Sequence, residues 1–287
     1  MPELPEVESV RRGLVAASLQ APVCSLWRSE FKLRIGKHWE SENLECLRGA
    51  TPGPVGRRGK YIVWSFRGVD DAALGLVIHL GMSGRCGVTA ASQPRVLHTH
   101  LALGFADGRE LRLVDPRRFG GLRAGAWEAI VASPPIGELG PEPLDPDLSG
   151  ELLQARLGAS ARPIRDALLD QEAIAGLGNI YAVEALFLAG IHPQIEARRL
   201  HRSAWDRLAV AIVGVLRQGI ENGGTTLKDF RNVVGEVGRN QDDLRVYGRA
   251  GEACPRCGEA LRGFVSGGRS GAFCPRDQAR PKTRLVR

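Results

Sequence analysis

No stretch of the chain approaches the roughly 18 consecutive apolar residues that a membrane-crossing helix needs. The opening MPELPEVESV lacks a basic region followed by an apolar run, so the sequence predicts no signal peptide and a cytoplasmic location. There is no internal repeat and no low-complexity tract, which leaves ordinary globular domains. Hydrophobic residues at 43% and charged residues at 25% fit that class, and 287 residues suffice for two domains with cores of their own. Cysteine is sparse and uneven. Cys24, Cys46 and Cys86 are scattered and read as ordinary buried thiols, whereas Cys254, Cys257 and Cys274 cluster. With no leader to direct export, such a cluster points to a metal rather than to disulfides.

Charge is also uneven. Ten basic residues against three acidic ones, from Arg245 to Arg287, account for the whole formal net charge of +7. A basic end on a neutral body suggests a polyanionic partner, with a solubilising tail as the plain alternative.

The pattern along the chain changes twice. Pro5 suits a first helical turn, Glu6 and Glu8 suit the positive end of a helix dipole, and Val7, Val10, Leu14 and Val15 recur at helical spacing. Pro2 and Glu3 therefore sit just ahead of a helix. From about 22 to 125 the chain reads as short strands, including Tyr61 to Phe66 and Leu76 to Leu80. His98 to Phe105 and Glu110 to Val114 flank a hairpin turn at Ala106-Asp107-Gly108. This spacing suggests a sandwich or barrel. Ser133 to Asp147, with five prolines and two glycines, reads as a linker. Helical patterns follow over Ala161 to Leu169, Tyr181 to Leu188 and Ala204 to Gly219. The first two are separated by the Gly176-Leu-Gly-Asn-Ile180 turn, in a helix–two-turn–helix arrangement. Short strands close the chain.

A set of motifs then stands out in order: Pro2-Glu-Leu-Pro-Glu-Val-Glu8, Gly59-Lys60, His79-Leu-Gly-Met-Ser-Gly84, Asp115-Pro-Arg-Arg-Phe-Gly120 and Asp170-Gln171. After them come Gly176 to Ala182, Gly223-Gly-Thr-Thr-Leu-Lys-Asp-Phe230, Val246-Tyr-Gly-Arg249 and the cysteine cluster. Together they resemble the formamidopyrimidine-DNA glycosylase family from end to end. The resemblance implies an α+β fold. A catalytic β-sandwich with flanking helices spans 1–132, a linker 133–150, a helix–two-turn–helix domain 151–243 and a β-hairpin zinc finger 244–287. It implies a nucleoid-associated monomer acting on double-stranded DNA with oxidised purines or abasic sites.

It also implies roles. After removal of Met1, Pro2 presents a secondary amine. An α-amino pKa of about 8 leaves a usable neutral fraction near pH 7, and a helix N-terminus lowers it further. Attack on the sugar C1′ gives an iminium, an electron sink for eliminating both phosphates. Glu3 is the general acid/base, and Glu6 helps hold the site. Lys60, with Arg269 in the finger hairpin, assists at the lesion phosphates, and His79, Asn179, Tyr247 and Arg249 are further phosphate contacts. A base must leave the stack to be excised, so something fills the gap: Met82 and Phe119 wedge the duplex, Arg117 pairs with the orphaned cytosine, and Arg118 supports the loop or a phosphate. Thr225 and Thr226 open a segment to Gln241 that caps the lesion. His98 and His100 could bind a metal, yet no third ligand is evident and none is assigned. The family spacing Cys-x2-Cys-x16-Cys-x2-Cys has Asp277 in its fourth place. Zinc accepts carboxylate oxygen, so the expectation is one structural zinc on Cys254, Cys257, Cys274 and Asp277. The alternatives are a sister endonuclease VIII-like enzyme acting on oxidised pyrimidines and a damage-binding protein without chemistry.

Overall fold

A computed structural model of the chain describes residues 1–31, 33, 43–226, 230–233 and 235–280. Part of the expected capping segment and the last basic residues, Lys282, Arg284 and Arg287, lie outside the described residues. The chain divides into two compact units. One comprises 1–139 with 219–241, the other 140–218 with 242–287.

The first unit begins with α1 (Leu4–Ala17), whose Val7, Val10 and Leu14 are buried as their spacing predicts, whereas Val15, the fourth residue of the pattern, is exposed. Two four-stranded antiparallel sheets follow. One has the order β1 (Val23–Arg28), β6 (Thr99–Phe105), β7 (Arg109–Val114), β5 (Arg85–Ala90). The other has the order β2 (Thr51–Arg58), β3 (Tyr61–Arg67), β4 (Ala73–His79), β8 (Gly121–Ala126). Ile62, Trp64 and Phe66 alternate along β3 and meet Leu101, Leu103 and Phe105 of β6 and the α1 stripe in one core. Burying each such side chain contributes about 1.5–3 kcal/mol. On the outer face Val63 and Val77 pack under α2 (Trp127–Ala132) with Ile130, so β3 and β4 are apolar on both faces. The β6–β7 hairpin turns at Gly108, as its sequence predicts.

One expectation fails here. Cys24 is exposed and Cys46 half-buried; of the three scattered cysteines Cys86 alone is buried, and burial pushes its thiol up to about 12. Cys24 lies on β1, an edge strand whose outer residues face solvent.

The second unit carries α3 (Gly150–Leu157), α4 (Ile164–Ala167), α5 (Asn179–Ala189), the start of α6 (Arg202–Glu221) and the hairpin β9 (Arg262–Ser266), β10 (Arg269–Phe273). The helix expected over Ala161 to Leu169 shortens to the four residues of α4. Pro163 caps it, and the N–H groups of Ile164 and Arg165 donate to the carbonyls of Ile195 and Pro193. α5 is buried nearly all round, which its apolar sequence, broken only by Asn179 and Glu184, allows. Its Val183 and Phe187 share a core with Val246, Leu261 and Phe264. The architecture is α+β, with paired N-terminal sheets, C-terminal helices and a terminal hairpin, as expected.

Candidate functional site

In the first unit Pro2 is buried directly ahead of α1, behind a half-exposed Met1. Glu3 is the helix N-cap and only 3% exposed. Its side chain accepts the Glu6 N–H, while the Glu6 carboxylate accepts the Glu3 N–H at 2.7 Å. This is a reciprocal capping box built from two glutamates, placing both charges at the positive end of the helix. The other Glu6 oxygen accepts the Thr225 N–H at 2.6 Å. A chain ahead of the helix and a segment over 200 residues later thus meet on one carboxylate. Gly224, at φ +90°, is what lets them meet, since a Cβ there would lie 3.0 Å from Glu6 Cγ. The Thr225 hydroxyl accepts from the Asn240 amide at 2.8 Å. The Thr226 hydroxyl accepts the Gly238 N–H at 2.9 Å and donates to the Phe230 carbonyl at 3.2 Å. Both side chains brace their own segment.

Glu8 ties α1 to β2. Burial disfavours its charge, but the guanidinia of Arg11, Arg12 and Arg57 outweigh that and hold its carboxyl below the usual range.

Lys60 sits in the β2–β3 turn and is 6% exposed. His79, at the end of β4, pairs in register with Tyr61, and their rings lie 4.8 Å apart. Burial first, then the Lys60 charge, pushes His79 down to about 4, against the opposing pull of Asp115. Its Nδ1 accepts the Gly81 N–H at 3.3 Å, so the neutral ring carries its proton on Nε2 as a donor.

The two loops holding Met82 and Arg117-Arg118-Phe119 are built as one piece. The Asp115 carboxylate, fully buried, accepts the Ser83 hydroxyl at 2.5 Å, the Arg117 N–H at 3.2 Å and the Gly120 N–H at 2.7 Å. Gly81, at φ +60°, lies against the Phe119–Gly120 backbone so closely that a Cβ would come within 2.3 Å of it. On this base Met82 is 40% exposed, and the Arg117 guanidinium stacks 5.2 Å over the Phe119 ring. Arg118, at φ +61°, turns instead toward Phe31, 5.6 Å away. His100 is buried between the Ser29 hydroxyl and the Asp115 carbonyl, a packed core histidine.

In the second unit Asn179 opens α5, and its amide donates to the Ser270 carbonyl at 2.8 Å. Glu184, 2% exposed, accepts the backbone N–H groups of Arg245, Val246 and Tyr247 at 2.8–3.0 Å and so fixes Tyr247. Arg269 is exposed at the first position of β10. Arg249 is engaged by Glu252 and by the carbonyls of Leu244 and Arg245, so it shapes its own turn.

The ligand atoms of Cys254, Cys257, Cys274 and Asp277 all lie within 4.8 Å of one another. Zn–S bonds of about 2.3 Å in a tetrahedron put sulfurs about 3.8 Å apart, and a sulfur and a carboxylate oxygen about 3.5 Å apart. The Cys257–Cys274 sulfurs are at 3.4 Å, and Cys254 Sγ and Asp277 Oδ2 at 3.6 Å. Backbone N–H groups of Arg256 and Asp277 point at the sulfurs of Cys254 and Cys274. The set fits a structural zinc ion, with Asp277 as its fourth ligand.

Comparison with known proteins agrees in three places. The N-terminal domain of formamidopyrimidine-DNA glycosylase matches residues 1–122, its H2TH domain 139–231, and the zinc finger found in FPG and IleRS 251–280. A formamidopyrimidine-DNA glycosylase of Rhizorhabdus wittichii is 42% identical over 279 residues, covering 97% of this chain and all of that one. The chain belongs to the formamidopyrimidine-DNA glycosylase family. Two solved structures of the Lactococcus lactis glycosylase are similar throughout. One is bound to DNA with an abasic site and one to DNA with N7-benzyl-Fapy-dG; each has a TM-score of 0.86 at 34% identity, over 97% of this chain and 100% of that one.

Against the glycosylase family's motifs, three residues carry more than the sequence reading gave them. Asp115 builds the loop whose arginines and phenylalanine drew attention; its place before Pro116 was the available signal. Gln171 fixes the Gly176 turn, accepting its N–H and donating to the carbonyls of Leu169 and Leu177. Glu184 had no signal beyond being a lone acid in an apolar helix.

Proposed function

We propose that the chain is a bifunctional DNA glycosylase/AP lyase of base excision repair that removes oxidised purines, 8-oxoguanine and formamidopyrimidines, from duplex DNA. The observation that carries this reading is Pro2 beside the buried Glu3 at the mouth of α1, in a chain of this family. Once Met1 is removed, the Pro2 nitrogen attacks C1′ as the base departs with the glycosidic electron pair. Glu3 takes the proton that the amine sheds and passes it to the ring oxygen, and the sugar opens to an iminium. Loss of the C2′ proton into that electron sink expels the 3′ phosphate, a second elimination expels the 5′ phosphate, and water releases the sugar fragment. The basic α-amine is the right nucleophile because the helix end favours its neutral form.

The remaining residues hold the duplex. Met82 and Phe119 fill the gap left by the flipped base, and Arg117 pairs with the orphaned cytosine. Their common base on Asp115 and Gly81 lets them enter as a rigid pair. Arg118 supports the loop. Lys60, His79, Tyr247 and Arg269 meet phosphates, His79 as a neutral donor at physiological pH. Asn179 supports the phosphate contact through the helix start rather than by a free amide. The segment from Thr225 and Thr226 closes over the lesion through its backbone. Zinc, when bound, holds the terminal hairpin and takes no part in the chemistry. The protein works as a monomer in the cytoplasm, on the nucleoid, with a catalytic sandwich at 1–132, a linker at 133–150, a helical module at 151–243 and the finger at 244–287.

Borohydride trapping on duplex with 8-oxoguanine opposite cytosine tests this reading. A covalent adduct is expected, and blocking the N-terminal amine should abolish it; an adduct that survives blocking refutes the Pro2 mechanism. Faster excision of thymine glycol than of 8-oxoguanine would instead place the chain with the endonuclease VIII-like enzymes. Lesion binding without cleavage would make it a damage-binding protein.

A further inference from the structure

Among the buried polar groups, Arg165 is the least explained by packing. It lies in the four-residue helix α4 and is 0% exposed, a fully buried guanidinium outside the motifs discussed above. Its Nη2 donates to the Ser266 carbonyl at 2.6 Å and reaches the Arg269 carbonyl at 3.4 Å. Ser266 and Arg269 are the closing pair of the β9–β10 hairpin, across a turn of Gly267 and Gly268, both at positive φ. The grip is doubled. Nη1 lies 3.0 Å from Asp166 Oδ1, off the N–H direction, and Asp166 Oδ2 accepts the Ser266 hydroxyl at 2.5 Å. The guanidinium also lies 5.6 Å from the Phe264 ring. One residue further along β10, Asn179 holds the Ser270 carbonyl.

Burying a guanidinium costs several kcal/mol unless it is compensated. Here the compensation is incomplete, because Nε and Nη1 find no hydrogen-bond partner among the described residues. Burial and the Arg269 charge lower the Arg165 pKa, which places two cations near each other at the hairpin turn. A group held at such cost for packing alone is easily replaced by an apolar one. Its contacts converge instead on the hairpin turn that carries Arg269: the carbonyls of Ser266 and Arg269, the Phe264 ring and, through Asp166, the Ser266 hydroxyl.

We infer that Arg165 is a positioning residue that anchors the β9–β10 turn and thereby aims Arg269 at the DNA backbone beside the lesion. It rests on the glycosylase reading above. The contacts use no paired geometry of the guanidinium fork: one donor to Ser266 and one charge beside Asp166 suffice. An ammonium can supply both, so lysine should substitute and an apolar side chain should not.

The test uses the zinc-loaded full chain, with excision of 8-oxoguanine from duplex as the activity. Arg165→Met is expected to lower kcat/KM about ten- to hundredfold through misplacement of a phosphate contact. Arg165→Lys should stay within about threefold of the wild type. Both should keep one zinc per chain. In an Arg269→Ala background, Arg165→Met should cause no further loss, because the two residues act through one contact. Amide exchange over 262–273 should speed up about tenfold in Arg165→Met alone. Equal losses from Arg165→Met with and without Arg269, or a lysine variant as impaired as the methionine one, overturn the inference. So does an unchanged methionine variant of an active enzyme. A wild-type chain without activity on lesion duplex overturns the glycosylase reading itself, and this inference with it; the exchange data would then report anchoring alone.

Discussion

Asp115→Asn is the sharpest test of how the proposed wedge of Met82 and Phe119 is held. The substitution is nearly isosteric, so packing is preserved and the change is confined to hydrogen bonding. Oδ1 serves the Ser83 hydroxyl and the Arg117 N–H, while Oδ2 alone serves the Gly120 N–H. An asparagine that keeps its oxygen at the Oδ1 position turns its NH2 on the Gly120 N–H, donor against donor. One that flips restores Gly120 but takes the acceptor from the Ser83 hydroxyl and leaves the Arg117 N–H only Ser83 Oγ, at 3.2 Å. Either way one charge-assisted bond worth about 1.5–3 kcal/mol is lost, and a buried donor is left unmade. The expected cost is about 2–3 kcal/mol of unfolding free energy, read from the urea midpoint at an unchanged slope. The consequence should be local as well as global. The loops of Met82 and Phe119 lose their common base, so affinity for duplex with an abasic-site analogue should fall about tenfold while affinity for undamaged duplex barely moves. A stability loss below about 0.5 kcal/mol, or equal effects on both duplexes, refutes the reasoning.

Other predictions follow from the same geometry. Gly81→Ala should destabilise the chain by about 2–4 kcal/mol, because a Cβ at positive φ would meet the Phe119–Gly120 backbone, which has no rotamer to yield; a melt indistinguishable from wild type refutes it. His79 and His192, both pushed down to about 4 mainly by burial, are folded as neutral rings. Their folded pKa values lie below the unfolded one, so that stability is complete above about pH 6.5 and declines as pH falls toward 4. Urea titrations at pH 7 and 4.5 should show the decline, and His79→Gln should flatten it. Asp277→Ala should leave the purified protein with less than one zinc per chain, whereas Asp277→Cys should retain it through chelator treatment; metal analysis decides.

The parts legible in the sequence share one property: local periodicity or composition specifies them. α1 follows from Pro5 and the Val7, Val10, Leu14 stripe, and β3 from its alternation about Trp64. The metal set follows from cysteine spacing, which already showed Asp277 in the fourth place. What the sequence could not express are groups satisfied at a distance. Asp115 reads as a turn residue until Ser83 is seen beneath it. Arg165 carries no signal of its own in the sequence, and α4 reads as a longer helix, because local pattern does not include the carbonyls that hold them. Cys24 reads as buried until β1 proves to be an edge.

By itself, then, the sequence determined the order of elements, the residue types at the reactive end and the family they resemble. Tertiary structure alone decided which carboxylate braces which loop. The Glu6 oxygens join Glu3 to Thr225, and the Asp115 oxygens join Ser83 to Arg117 and Gly120. The physical reason is that a buried charge must find its donors wherever the fold brings them. Periodicity reports only which face of an element turns inward.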